Sequence, residues 1–152
     1  MFKRQQPTSS AVVEATYELD EFATTVVKVA LAELEVTGVL IPFVLLERQD
    51  RVSTHPMAGG PVDGSELIAL LDVARLGMRS IGRDVMRYAI AWPGKVVDNG
   101  EVDAVFVEMA AQNNPVGAVV TVCYWTDPVD KELTTDLRLR RVGPAPVRPS
   151  WN

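Results

Sequence analysis

The chain has 152 residues, 47% of them hydrophobic and 23% charged, with a formal net charge of −5 and an isoelectric point near 4.9. That composition fits one domain with a real core and is not that of a disordered chain. The acidic balance argues against wholesale binding to nucleic acid or anionic membrane, which needs a basic footprint.

The N-terminus, Met1-Phe2-Lys3-Arg4-Gln5-Gln6-Pro7, carries two cations but no apolar run behind them, so it does not read as a signal peptide. Residues 1–9 read as a flexible tail and 10–142 as one domain. Val12, Ala15, Leu19, Phe22, Val26 and Val29 follow at spacings of three and four, one face of a helix. Glu14, Glu18, Glu21 and Lys28 mark its other face. The helix runs from Ser10 to about Glu35, in one piece or in two broken near Asp20, and Gly38 is its stop signal.

Val39 to Leu46 is the longest apolar run, too short to span a bilayer. It reads as a central strand, and Pro42 is reconciled with it by a bulge or by a start at Phe43. Gln49-Asp50 is a turn, Arg51–Thr54 a returning strand, and His55 to Pro61 a loop. Asp63 and Glu66 have capping-box spacing. Leu67, Leu70, Leu71, Ala74, Met78, Ile81 and Val85 then form the stripe of a second helix.

Four strands follow, about Tyr88–Val97, Glu101–Ala111, Val116–Trp125 and Glu132–Val142. They are separated by Asp98-Asn99-Gly100, Gln112-Asn113-Asn114-Pro115 and Asp127-Pro128. Asn-Gly between β-prone runs is a strong hairpin signal. Pairing about Asn113-Asn114 sets Glu108 opposite Val119, Phe106 opposite Thr121 and Ala104 opposite Cys123. Residues 143–152 form a Pro-rich extended tail. The fold class is α+β, a helix, β-hairpin, helix and four-strand antiparallel meander, with one mostly antiparallel sheet packed against two helices. The order of elements is similar to that of roadblock-like and profilin-like domains, a likeness of topology that no residue motif carries.

Few residues carry chemistry. His55 is the only histidine and Cys123 the only cysteine. Cys123 lies in an apolar strand with no base beside it and reads as structural. One cysteine excludes an intrachain disulfide and suits a cytoplasmic compartment. The abundance of Val, Ala, Arg and Asp beside scarce Lys suggests a GC-rich bacterial genome. No metal-ligand, nucleophile or phosphate-loop spacing is present, so no metal and no cofactor is expected. Glu108 is a charged residue in an otherwise apolar strand, a candidate binding or acid/base group. Arg75, Arg79, Arg83 and Arg87, spaced by four, read as a basic stripe along the second helix, suited to an acidic protein partner.

The scarcity of catalytic residue types favours a non-catalytic protein-interaction module, an adaptor or an inhibitor or immunity-type protein. The alternative is a small enzyme or ligand-binding domain using Glu108, His55 or the arginines. The meander is apolar on both faces and one helix covers only one of them; the other must be covered by the Val12–Val29 helix or by a second subunit, and a homodimer is expected.

Overall fold

The computed structural model describes residues 9–97 and 99–151, the side chains of 9–18 and 115 excepted. The expected tail over 1–8, and the side chains of Val12, Glu14, Ala15 and Glu18, lie outside the described residues. Helix α1 (Ser9–Thr37) is continuous through Asp20. Thr24 and Thr25, β-branched and awkward in a helix, bond back to the carbonyls of Asp20 and Glu21 at 3.0 and 3.2 Å. Gly38, at φ +78°, ends the helix and donates its N–H to the Leu34 carbonyl at 2.8 Å. The buried face is Leu19, Phe22, Ala23, Val26, Val27, Ala30, Leu31 and Leu34. Val29 is not part of it. From Val26 the helical period continues to Ala30, which turns Val29 outward to the flank.

Strand β1 (Phe43–Arg48) begins after Pro42, which resolves the conflict over that proline, and the Pro42 carbonyl accepts the Met57 N–H at 2.8 Å. Strand β2 (Val52–Pro56) extends through His55, opposite Val44, so His55 sits on a strand rather than in the expected loop. Backbone pairing with β1 overrides the loop-like composition. Helix α2 (Gly64–Met78) opens with the expected capping box. Asp63 accepts the Glu66 N–H at 2.8 Å, and Glu66 accepts the Asp63 N–H at 3.2 Å. The helix stops at Met78, short of the stripe read to Val85. Ile81 and Val85 are buried, but in the connecting loop and in a strand. Turn bonds from the Ser80 and Ile81 N–H groups to the Gly77 and Met78 carbonyls end it there, at a glycine that weakens the helix.

The remaining strands are β3 (Val85–Val97), β4 (Glu101–Ala111), β5 (Asn114–Thr126), β6 (Leu133–Thr135) and β7 (Arg140–Gly143). They make a seven-stranded sheet in the order β2-β1-β3-β4-β5-β6, with β7 also on β5 and every pair antiparallel. Asn99 and Gly100 both have positive φ at the β3–β4 turn. Glu108, Phe106 and Ala104 face Val119, Thr121 and Cys123, as the sequence implies. The turn itself is Gln112-Asn113. A bulge absorbs the offset at Gly117, whose φ is +69° and whose missing Cβ would lie 2.2 Å from the Met109 carbonyl oxygen.

The expected last strand is divided. Leu137 takes φ +53°, while Thr135 and Asp136 side chains accept the N–H groups of Leu137 and Arg138 at 3.0 and 2.9 Å. These local bonds compete with the ladder and split the strand into β6 and β7.

Both faces of the sheet are covered by the chain itself. One face, with Val105, Val107, Met109, Val120 and Val122, lies under α1. The other, with Val44, Tyr88, Ile90 and Ala110, lies under α2 and the C-terminal segment. That segment folds back as a strap, burying Ala145, Val147 and Pro149. The Ser150 N–H reaches the Arg79 carbonyl at 3.1 Å, and Arg83 Nε donates to the Trp151 carbonyl at 3.1 Å.

Candidate functional site

Glu108 points to the α2 side of the sheet and is fully buried. Arg75 reaches down from α2 and meets it as a fork. Its Nε donates to the two carboxylate oxygens at 3.0 and 3.2 Å, and its Nη2 donates to Oε1 at 2.8 Å. The guanidinium lies 5.8 Å from the centre of the Trp92 ring system. Trp92 stacks on Phe106 at 5.8 Å and 9°. Phe106 in turn covers Gly94, where a Cβ would come within 2.7 Å of Phe106 Cε1. Tyr88 is buried beside this group, and Trp151 packs on it with ring centres 6.2 Å apart. The Tyr88 hydroxyl and the Trp151 indole N–H have no protein partner among the described residues. Burial first, and the Glu108 carboxylate second, hold the Tyr88 pKa well above the ordinary tyrosine value. A buried carboxylate engaged by one guanidinium through both oxygens is suited to tying α2 to the sheet. It presents no oxygen to solvent.

The other arginines do not form a helical stripe with Arg75, because α2 ends before them. Arg79 is the C-cap residue and Arg83 lies in the following turn. Arg87 is on β3, where it pairs with Glu47 across β1, and its guanidinium lies 4.5 Å from the centre of the Phe22 ring. Arg75 and Arg87 thus face opposite sides of the sheet. His55 is exposed, with Nε2 3.0 Å from the Ser53 hydroxyl. Cys123 is buried inside β5. Glu108 and Arg75 are therefore the sequence-marked residues that the fold brings together. Among the described residues, no group of three or more His, Cys, Asp or Glu side chains is placed to hold a metal ion. No described helix is long and apolar enough to cross a membrane.

A different feature was not marked by any residue type. α1 lies over β3, β4 and β5, and beside it an open groove of about 810 Å³ runs above the β1–β2 hairpin. Val29, Ala32 and Val36 of α1 form one wall. Phe43, Thr54 and Pro56 belong to the hairpin, with Ile41 and Pro61 completing the apolar lining. Val36 is 84% exposed, and Glu33 is the charged side chain of the lining. The sequence does hold a signal for it. Val29, Ala32 and Val36 are a second apolar row on α1, hidden by the stronger row that enters the core.

The chain matches no protein-family model, no curated protein and no solved structure.

Proposed function

We propose that the protein is a non-catalytic interaction module that receives an apolar segment of a partner in the groove between α1 and the β1–β2 hairpin. The groove itself is the observation that carries this reading. It is large, half-open and apolar, with a single charged residue in its lining. Its volume is that of a small-molecule pocket, about 300–1,000 Å³, but its floor and wall are a sheet and a helix, with no cluster of polar groups to orient a reacting substrate. The groups that could do chemistry are engaged elsewhere, Glu108 in a buried ion pair and Cys123 in a strand.

Self-association belongs to the same reading. With α1, α2 and the strap over the sheet, the groove and the outer side of α2 are two apolar surfaces a second copy could use. On α2, Ile68, Val73 and Leu76 are exposed.

The test is site-specific photocrosslinking. A photoreactive residue at position 36 should capture one partner that the same residue at position 73, exposed on α2 across the sheet, does not. The purified partner should then bind the Val36→Glu chain at least about tenfold more weakly at unchanged melting temperature. Equal capture from both positions, or no effect of Val36→Glu, would count against the proposal.

A further inference from the structure

We infer that the groove takes a short amphipathic helix of a partner protein, with Lys or Arg on its flanks, lying alongside α1. The inference rests on the function proposed above and adds the chemistry of the partner. One helix with its side chains is about 10 Å across. The α1 core takes in Phe43 and Leu45 of β1 as well as β3, β4 and β5, so the free floor is Thr54 and Pro56 of β2 with Phe43 at its inner edge, and the groove of about 810 Å³ beside α1 receives one apolar face of a further helix. The wall of that space is the row Val29, Ala32 and Val36. Its spacing of three and four is the spacing with which helices present ridges to one another. From Val29 to Val36 α1 rises roughly 10 Å, so about two turns of the partner would be seated. Glu33 beside this row, in a chain of net charge −5, favours cations at the edge of the incoming helix.

Two other occupants fit less well. An added strand would have to pair with β2, the edge of the sheet. The bonds from the Arg48 N–H to the Arg51 carbonyl and from the Met57 N–H to the Pro42 carbonyl fix the alternation of the ladder. The backbone groups of Val52, Thr54 and Pro56 then face outward, and Pro56 has no N–H to offer. A second copy could offer the apolar outer side of its α2. That helix lies on the opposite face of the sheet from the groove, so the contact would run head to tail rather than close on a twofold axis.

The experiment is an unbiased selection. Phage-displayed random peptides of about 16 residues, roughly four helical turns, are panned on the full chain and counter-selected on the Val36→Glu chain. The strongest binder is synthesised and followed by fluorescence anisotropy and circular dichroism. The expected winners carry apolar residues at i, i+3 or i+4, and i+7, with Lys or Arg beside them, and gain helix on binding. Their affinity should fall at least about tenfold with Val36→Glu and severalfold with Glu33→Lys. Winners that alternate at i and i+2, bind without gaining helix, or carry acidic flanks would overturn the inference. If Val36→Glu still weakens them, the interaction reading survives. No sequence that distinguishes the chain from Val36→Glu would overturn both. The same melting temperature for the two chains confirms that the comparison is between folded proteins.

Discussion

Three positions carry the sharpest consequences at the scale of single residues. Glu108 is wholly buried and depends on Arg75, which is 26% exposed. Arg75→Ala strands the carboxylate and should cost about 3 kcal/mol or more. Replacing both together, Arg75→Met with Glu108→Leu, should restore most of that loss, because the desolvation of both charges disappears. Urea unfolding of the single and double variants measures the difference. Two separate losses that simply add would contradict a coupled pair.

Tyr88 makes a prediction about pH. Its folded pKa is raised above the ordinary value of 10.0. The folded chain therefore holds that proton more tightly than the unfolded chain. Its contribution to stability is present below about pH 10 and falls as pH rises further. Tyr88→Phe should flatten the alkaline decline in melting temperature. It should also leave neutral-pH stability unchanged or higher, since the hydroxyl has no protein partner among the described residues. An unchanged alkaline slope would contradict it. Gly117 is the third case. At φ +69°, with the Met109 carbonyl in the place of a Cβ, Gly117→Ala should destabilise by about 1–3 kcal/mol in the same assay.

At the scale of elements, the C-terminal strap is the piece whose role can be removed cleanly. Ending the chain at Gly143 exposes the surfaces under Ala145, Val147, Pro149 and Trp151. Burial of that amount is worth about 3 kcal/mol or more, so the midpoint in urea should fall clearly. An unchanged midpoint would show the strap to be an ornament of the surface. Its docking was not legible in the sequence, because Gly-Pro-Ala-Pro says only that a sheet cannot continue. The surface it finds is made by Tyr88 and Ala110, distant in the chain.

Periodicity and turn chemistry are local, and they were legible. The α1 stripe from Leu19, the Asp63 capping box and the Asn99-Gly100 hairpin are each written within a few residues. The β4–β5 register follows from them by simple alternation. Three features failed because a longer-range or competing interaction decided them. The end of α2 at Met78 scattered a row of four arginines, Arg75 to Glu108, Arg79 and Arg83 to the C-terminal strap, and Arg87 to Glu47. The side-chain bonds at Thr135 and Asp136 divided the last strand. Pairing with β1 drew His55 out of a loop. Glu108 was legible as unusual, while its partner was not, since Arg75 meets it only when α2 docks.

For the whole molecule, the number of helices matters less than where they lie. The expectation of a homodimer rested on a sheet face left in water. The chain supplies its own cover on both sides, α1 on one and α2 with the strap on the other. The open apolar surface beside α1 arises because one helix cannot span the face of a sheet this wide. That geometry, rather than any reactive group, is what carries the proposed interaction.

Two-dimensional amide spectra of the full chain, titrated with the selected peptide, test this most directly. The account predicts shifts concentrated at residues 29–41 and 54–61, around the groove, and little change on the far side of the sheet. Shifts concentrated instead at Arg75, Trp92, Phe106 and Glu108 would contradict it and place the working surface of the protein under α2.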